Sequence, residues 1–243
     1  GKTLRVEVKR AIVAKRLGRL TGGGLFAEAQ QLGAADAPPE TGVLGCDSVQ
    51  NAVYHGRMFW GWGDTTLPHY PLGIFHMTSA TTDVRPLKSF EPPLRVKFDY
   101  FTDAKGAPRG VAEMPGTGPT WVTAYVSLPD RTGAPRLVGS YAKIKPPLEA
   151  YEWGLCVWND QTNRFERLRV VWTKSEQQPK PPPLPEGHPV FWDDERGRRW
   201  VLFGNPLPTL RCPATFEAWQ NPDTWERLEP QASLASADGQ PVK

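Results

Sequence analysis

The stretch Gly45–Thr66 reads GCDSVQNAVYHGRMFWGWGDTT. Its middle, NAVYHGRMFWGWGD, is two short apolar and aromatic runs on either side of His55-Gly56. That dipeptide suits a tight turn, so the stretch reads as a β-hairpin. Asp47 and Asp64 stand at its two ends. One reading is architectural, a hairpin with polar ends. The other is chemical, a carboxylate at the floor of a binding site.

The same plan recurs along the chain. PTWVTAYVSLPDRTGAPRLVGSYAKI turns at PDRTGAP, YEWGLCVWNDQTNRFERLRVVW at NDQTN, and HPVFWDDERGRRWVLFGNP at DDERG. Three of the second strands are comparable: GRMFWGWGD from Gly56, APRLVGSYA from Ala134 and GRRWVLFGN from Gly197. Each starts near a basic residue, runs through apolar residues and ends on a small residue followed by a polar one. Their spacing is uneven and wider than in regular propeller repeats. Antiparallel hairpins joined by long loops nevertheless fit the blades of a β-propeller better than one closed barrel. The expected fold class is therefore all-β and propeller-like.

Helix has little room. The chain carries 26 Pro and 23 Gly, which argue against long helices, and its 10 Trp argue against disorder. Two stretches read as helical: RAIVAKRL around Arg10–Leu17, and PATFEAWQNPDTWERL near the end, broken at Pro222. LRVEVKR alternates from Leu4 as a further strand, and TGGGLF from Thr21 reads as a flexible junction. EQQPKPPPLPEGHP reads as an extended polyproline II connector between blades. Residues 1–32 are expected to be an N-terminal strand and junction, and 33–243 the propeller-like domain.

At 243 residues the chain can bury a sizeable core. Its 29 basic and 26 acidic residues leave a net charge of +3, with mild basic clustering only in KTLRVEVKRAIVAKRLGR. That is not the footprint of a nucleic-acid-binding protein. No apolar run approaches the length of about 18 residues needed to span a bilayer. Cys46, Cys156 and Cys212 are odd in number and widely spaced, without a CxxC pair, and read as buried free thiols. There is no GxSxG, HExxH, Walker loop or GxGxxG.

The stretch VLGCDSVQNAVYHGRMFWGWGDTTLPHYPLG resembles the first blade of bacterial glycosidase-like five-bladed β-propellers, the superfamily of glycoside hydrolase families 32, 43, 62 and 68. LEAYEWGLCVWNDQTNRFERL and GHPVFWDDERGRRWVLFG resemble later blades, and the resemblance runs over roughly Gly33 to Leu228. It implies a glycan ligand, no cofactor (a structural cation in the channel is left open) and an extracytoplasmic location. A complete ring of five blades needs a longer chain. The expectation is therefore a truncated propeller, or one completed by Leu4–Arg10 or by another polypeptide.

In the resembled enzymes the acid matching Asp47 is a base or nucleophile; the bland alternative is a turn aspartate binding backbone amides. Glycosidic cleavage needs a second carboxyl. Glu152 is the first choice: Tyr151 and Trp153 flank it, and apolar surroundings would raise its pKa into the range of an acid catalyst. Asp64 either orients Asp47 or caps a loop, and Asp193 reads as a turn residue. Sugars need aromatic platforms with polar rims, for which Trp60, Trp62, His69, Tyr70, Trp121 and Trp153 are candidates. Trp60 and Trp62 share one strand face, which equally fits packing between blades. His188 and Arg211 stand at loop-to-strand transitions, where they contact a ligand or serve a backbone hydrogen bond and a surface ion pair. Two functions remain open: a glycoside hydrolase using Asp47 and Glu152, and a noncatalytic propeller that binds glycan or protein.

Overall fold

The computed structural model describes residues 5–7, 9, 42–67, 76–86, 89 and 96–228. The expected helix at RAIVAKRL, the expected junction at TGGGLF and the expected division at residue 32 lie outside them. The described chain is all-β apart from one helical turn, α1 (Phe216–Trp219), a 3-10 turn at Pro222–Thr224 and a 3-10 position at Ser89. The C-terminal helical pattern is thus cut short. Asn221 caps the 3-10 turn by accepting from Asp223 N, and Pro222 has no N–H with which to continue α1. No helix among the described residues is long and apolar enough to cross a membrane.

Among the described residues, fourteen strands form four antiparallel sheets. Sheet 1 runs in the order β2 (Gln50–Tyr54), β3 (Arg57–Trp62), β5 (Thr78–Asp83), β6 (Asp99–Tyr100). Sheet 2 is β7 (Thr120–Pro129), β8 (Pro135–Lys145), β9 (Glu149–Asn159), β10 (Arg164–Thr173). Sheet 3 is β11 (Val190–Asp193), β12 (Arg199–Gly204), β13 (Pro208–Pro213), β14 (Glu226–Arg227). A small ribbon pairs β1 (Gly45–Cys46) with β4 (Thr65–Thr66).

All four expected hairpins form. His55 and Gly56 both take positive φ, 47° and 74°, as a two-residue turn between strands requires. The three comparable segments are the second strands of the three large sheets, β3, β8 and β12. One expectation is corrected. YEWGLCVWNDQTNRFERL is not a later blade but the second half of sheet 2, because the short turn Pro146–Leu148 folds β9 straight back onto β8. Among the described residues the sheets do not close into a ring.

Sheet 2 is covered on both faces, as its period-two pattern shows. Leu137 and Tyr141 on β8, with Cys156 and Trp158 on β9, point to sheet 1 and pack with Tyr54, Phe59 and Met77. Val138, Leu155 and Val157 point the other way and pack with Val201, Phe203, Leu210 and Trp219. A sheet buried on both faces needs apolar residues at successive positions, and GLCVW on β9 supplies them. Residues on β7 change faces at a register break between Thr123 and Val126, where Ala124 has φ 59°. Val122 faces sheet 1, yet Val126 faces sheet 3, and Tyr125 takes the sheet 1 side.

That bulge is also where the three sheets meet. The Ala124 N–H donates to Gln50 Oε1 of β2 at 3.0 Å and to Gly187 O at 3.2 Å. The Gly187 N–H donates to Thr123 Oγ1 at 3.1 Å. The starts of β2 and of the segment leading into β11 are therefore both tied to β7. Gln50 itself is buried.

Candidate functional site

The β2–β3 hairpin continues past its regular ladder into the β1–β4 ribbon. Between them, Asp47–Val49 stand opposite Trp62–Asp64 outside the regular ladder, and Gly63 and Asp64 both bond the backbone of Asp47, a bulge that leaves Asp47 exposed. Its backbone is pinned: Asp47 N donates to Asp64 O at 3.0 Å and Gly63 N to Asp47 O at 3.1 Å. Its carboxylate Oδ1 accepts from Asp64 N at 3.3 Å. Gly63 permits this approach, since a Cβ there would lie 3.0 Å from that of Ser48.

Asp64 is half-buried, and its Oδ1 is shielded from solvent without a hydrogen-bond partner. Burial, and then the charge of Asp47, push its carboxyl above the ordinary value. Desolvation and the Asp47 charge likewise raise the Cys46 thiol to about 11. The structure thus brings Asp47 and Asp64 together in one bulge with unequal surroundings.

Glu152 belongs to a different set. Alternation along β9 sends Trp153 to the opposite face, so it cannot wall Glu152 as the sequence suggested. Glu152 stands opposite Lys143 on β8. Its Oε1 accepts from the Tyr141 hydroxyl at 2.7 Å and from Arg167 Nη1 at 3.3 Å. The surroundings are therefore polar and charged rather than apolar. Burial and the bond to Glu152 raise the Tyr141 phenol, and the bond to Tyr141 raises Arg167. Among the described residues no hydrogen bond or ion pair joins Glu152 to Asp47 or Asp64.

The remaining candidates are dispersed. Trp60 and Trp62 stack at 6.4 Å, nearly parallel, with Phe98 edge-on to both. Trp60 Nε1 donates to Thr82 Oγ1. Because Phe59 and Gly61 of the same strand face Tyr125 of sheet 2, this pair lies on the outer face of sheet 1. Trp121 packs at the rim of the core between sheets 1 and 2, with Nε1 buried and unbonded. Trp153 is half-buried on the sheet 3 side and His188 is exposed. Arg211 binds Glu226 Oε2 through Nε at 2.8 Å and Nη2 at 2.6 Å. Its guanidinium also lies over Trp200 at 4.3 Å and Trp192 at 5.5 Å. Asp193 ends β11, and it is Asp194 that serves the turn, accepting from Arg196 N and Arg198 N. His69 and Tyr70 lie outside the described residues.

Sequence reasoning passed over Lys143. Its side chain is buried, and its Nζ donates to Met114 O at 3.2 Å, Gly118 O at 2.7 Å and Thr120 Oγ1 at 3.1 Å. The signal was a lysine inside the apolar alternation of β8. Burial lowers its pKa, and Lys143 in turn helps lower that of His76, whose main cause is also burial. Glu186 was passed over as well. It is exposed and directly precedes Gly187 at the three-sheet junction. Among the described residues there is no cluster of His, Cys, Asp and Glu arranged to hold a metal ion.

No protein-family model matches the chain, and no curated protein matches it in sequence. Among solved structures, the chain is similar to the crystal structure of a GH43_1 enzyme from Xanthomonas citri, at 10% identity and a TM-score of 0.38. The match covers 89% of this chain and 64% of the enzyme, so the chain spans less than two thirds of that protein's length.

Proposed function

We propose that the chain is a propeller-like carbohydrate-active protein that hydrolyses glycosidic bonds with Asp47 and Glu152. Asp64 is assigned to tuning Asp47. The observation that carries this reading is the bulge that exposes Asp47 while pressing it against the half-buried Asp64. Glycosidases need two carboxyl groups in different protonation states; Asp47 and Glu152 are assigned those two roles, and Asp64 only adjusts the surroundings of Asp47. Two donors fix Oε1 of Glu152, so Oε2 is the oxygen assigned to the chemistry. A glycan ligand, the lack of a cofactor and an extracytoplasmic location belong to the same proposal.

A noncatalytic, glycan- or protein-binding module is the second reading. It is favoured by a specific observation: one oxygen of each carboxylate already has a structural hydrogen bond, Asp47 to a backbone amide and Glu152 to Tyr141 and Arg167. The two readings separate on a panel of polysaccharides and aryl glycosides assayed for released reducing ends. Hydrolysis by the wild-type chain, lost in Asp47→Asn and in Glu152→Gln with unchanged circular dichroism, supports the catalytic reading. Binding without hydrolysis across the panel overturns it in favour of the second.

A further inference from the structure

The edge strand β11 is unlike the other sheet edges. Val190, Phe191 and Trp192 are 54%, 41% and 43% exposed, so both faces of this apolar strand meet solvent. Among the described residues its only ladder is with β12. The other edges are blunted. β2 and β7 lie against each other and are tied through Gln50. β6 and β14 are two residues long. β10 carries Glu166, Arg167 and Arg169 and two register breaks. Charges, bulges and shortness are the devices that keep sheet edges from pairing, and β11 has no bulge and no charge before its last residue, Asp193.

The free hydrogen-bonding groups of β11 can be assigned. Asp194 N donates to Arg198 O at 2.9 Å, next to the register pair Asp193–Arg199. Hydrogen-bonded and non-bonded pairs alternate along an antiparallel ladder. The bonded pairs to β12 are therefore Trp192–Trp200 and Val190–Leu202. The N–H and C=O of Phe191 and Asp193 point away from β12, as does the C=O of Pro189.

We propose that β11 is a self-complementary interface, on which a second copy of the chain adds its own β11 antiparallel about a two-fold axis at Phe191. An antiparallel pair related by a two-fold keeps each face on its own side, so a residue can sit opposite its own copy. With Phe191 on the axis, its N–H and C=O bond those of Phe191 of the partner subunit. Asp193 N–H then meets the C=O of the partner's Pro189, where the missing proline N–H costs one acceptor its donor but blocks nothing. Val190 stands opposite the partner's Trp192 on one face, and the two Phe191 rings meet on the other. Aromatic and β-branched cross-strand pairs of this kind are favourable. The donors, acceptors and apolar side chains match one another without any foreign sequence, which is why the occupant is a second copy. Sheet 3 then runs continuously through both chains, a form of strand addition.

A contact built on one short strand falls below the roughly 1,200 Å² of stable interfaces, so the dimer is weak and concentration-dependent. Sedimentation equilibrium from about 1 to 300 μM spans the range for a micromolar constant. The average mass is expected to rise from that of one 27.1 kDa chain toward twice that. Phe191→Pro removes an outward N–H without touching the β12 ladder, and Phe191→Lys puts like charges opposite each other on the axis. Each is expected to weaken the dimer at least about ten-fold, while Phe191→Tyr leaves it intact. Wild-type chain that stays monomeric throughout, or a dimer that survives both Phe191→Pro and Phe191→Lys, overturns the proposal.

Discussion

Replacing Gly61 by alanine tests how sheets 1 and 2 are held together. A Cβ on Gly61 would lie 2.5 Å from the Tyr125 hydroxyl oxygen, 2.6 Å from Cε2 and 2.7 Å from Cζ. All three are below any real Cβ contact, and the ring has little room to retreat. Tyr125 is buried, with Phe165 at 5.0 Å and Phe59 at 6.0 Å between ring centroids. Gly61 does not have positive φ, so the cost is steric rather than conformational. Overpacking a close-packed core costs about 1–3 kcal/mol. Three simultaneous clashes against an enclosed ring place Gly61→Ala near the top of that range. The loss of glycine's unfolded-state entropy returns about 0.4–1 kcal/mol. The net expectation is about 2 kcal/mol. With a urea m-value of about 2 kcal/mol/M, the midpoint of unfolding should fall by about 1 M. The clash is with the distal ring, so Tyr125→Leu should relieve it. The double variant should then be more stable than the sum of the single effects by about 1–2 kcal/mol. A midpoint shift within error of zero, or strict additivity, would refute this account of the contact.

Two further outcomes follow from buried charges. Lys143→Met strips three oxygens of their donor while removing a buried ammonium. At about 1–3 kcal/mol per unsatisfied group, partly offset by relief of desolvation, stability should fall by about 2 kcal/mol in urea titration. An unchanged midpoint would show that the three contacts gain nothing net. Because burial raises the Asp64 carboxyl above its ordinary value of 3.8, the folded state holds that proton more tightly than the unfolded chain. Its contribution is complete below pH 3.8 and is lost as pH rises through the raised value. Asp64→Asn should therefore gain stability relative to wild type as pH rises from about 4 to 7; a constant difference across that range would contradict the burial argument.

The hairpins were legible because each carries its own turn chemistry between period-two runs. His55-Gly56 and NDQTN mark their turns without help from the rest of the chain. Assembly of hairpins into sheets was less legible. YEWGLCVWND reads as an independent unit, and only the closeness of Lys145 and Glu149 across a short turn joins it to β8. The face change at Ala124 was invisible, since a bulge leaves the apolar pattern of TWVTAYVSL intact and merely re-aims it. Within the site, Asp47 and Asp64 were legible together because one hairpin carries both. The neighbours of Glu152 were not, since sequence adjacency named Tyr151 and Trp153. The side chains that touch it, Tyr141 and Arg167, lie on the flanking strands. Sequence neighbours on a strand point to opposite faces, and partners across a sheet leave no local signal.

The measurement that bears most directly on glycan hydrolysis is the paired determination of turnover and binding for Asp47→Asn, on whichever glycan the wild-type chain cleaves. Asparagine keeps the size of the side chain and an oxygen to accept from Asp64 N, so fold and glycan affinity should be retained. It cannot act as base or nucleophile, so kcat should fall by about 10²–10⁴-fold. Turnover equal to wild type, with binding unchanged, would contradict the assignment of Asp47 and leave its bulge a structural feature of the first hairpin.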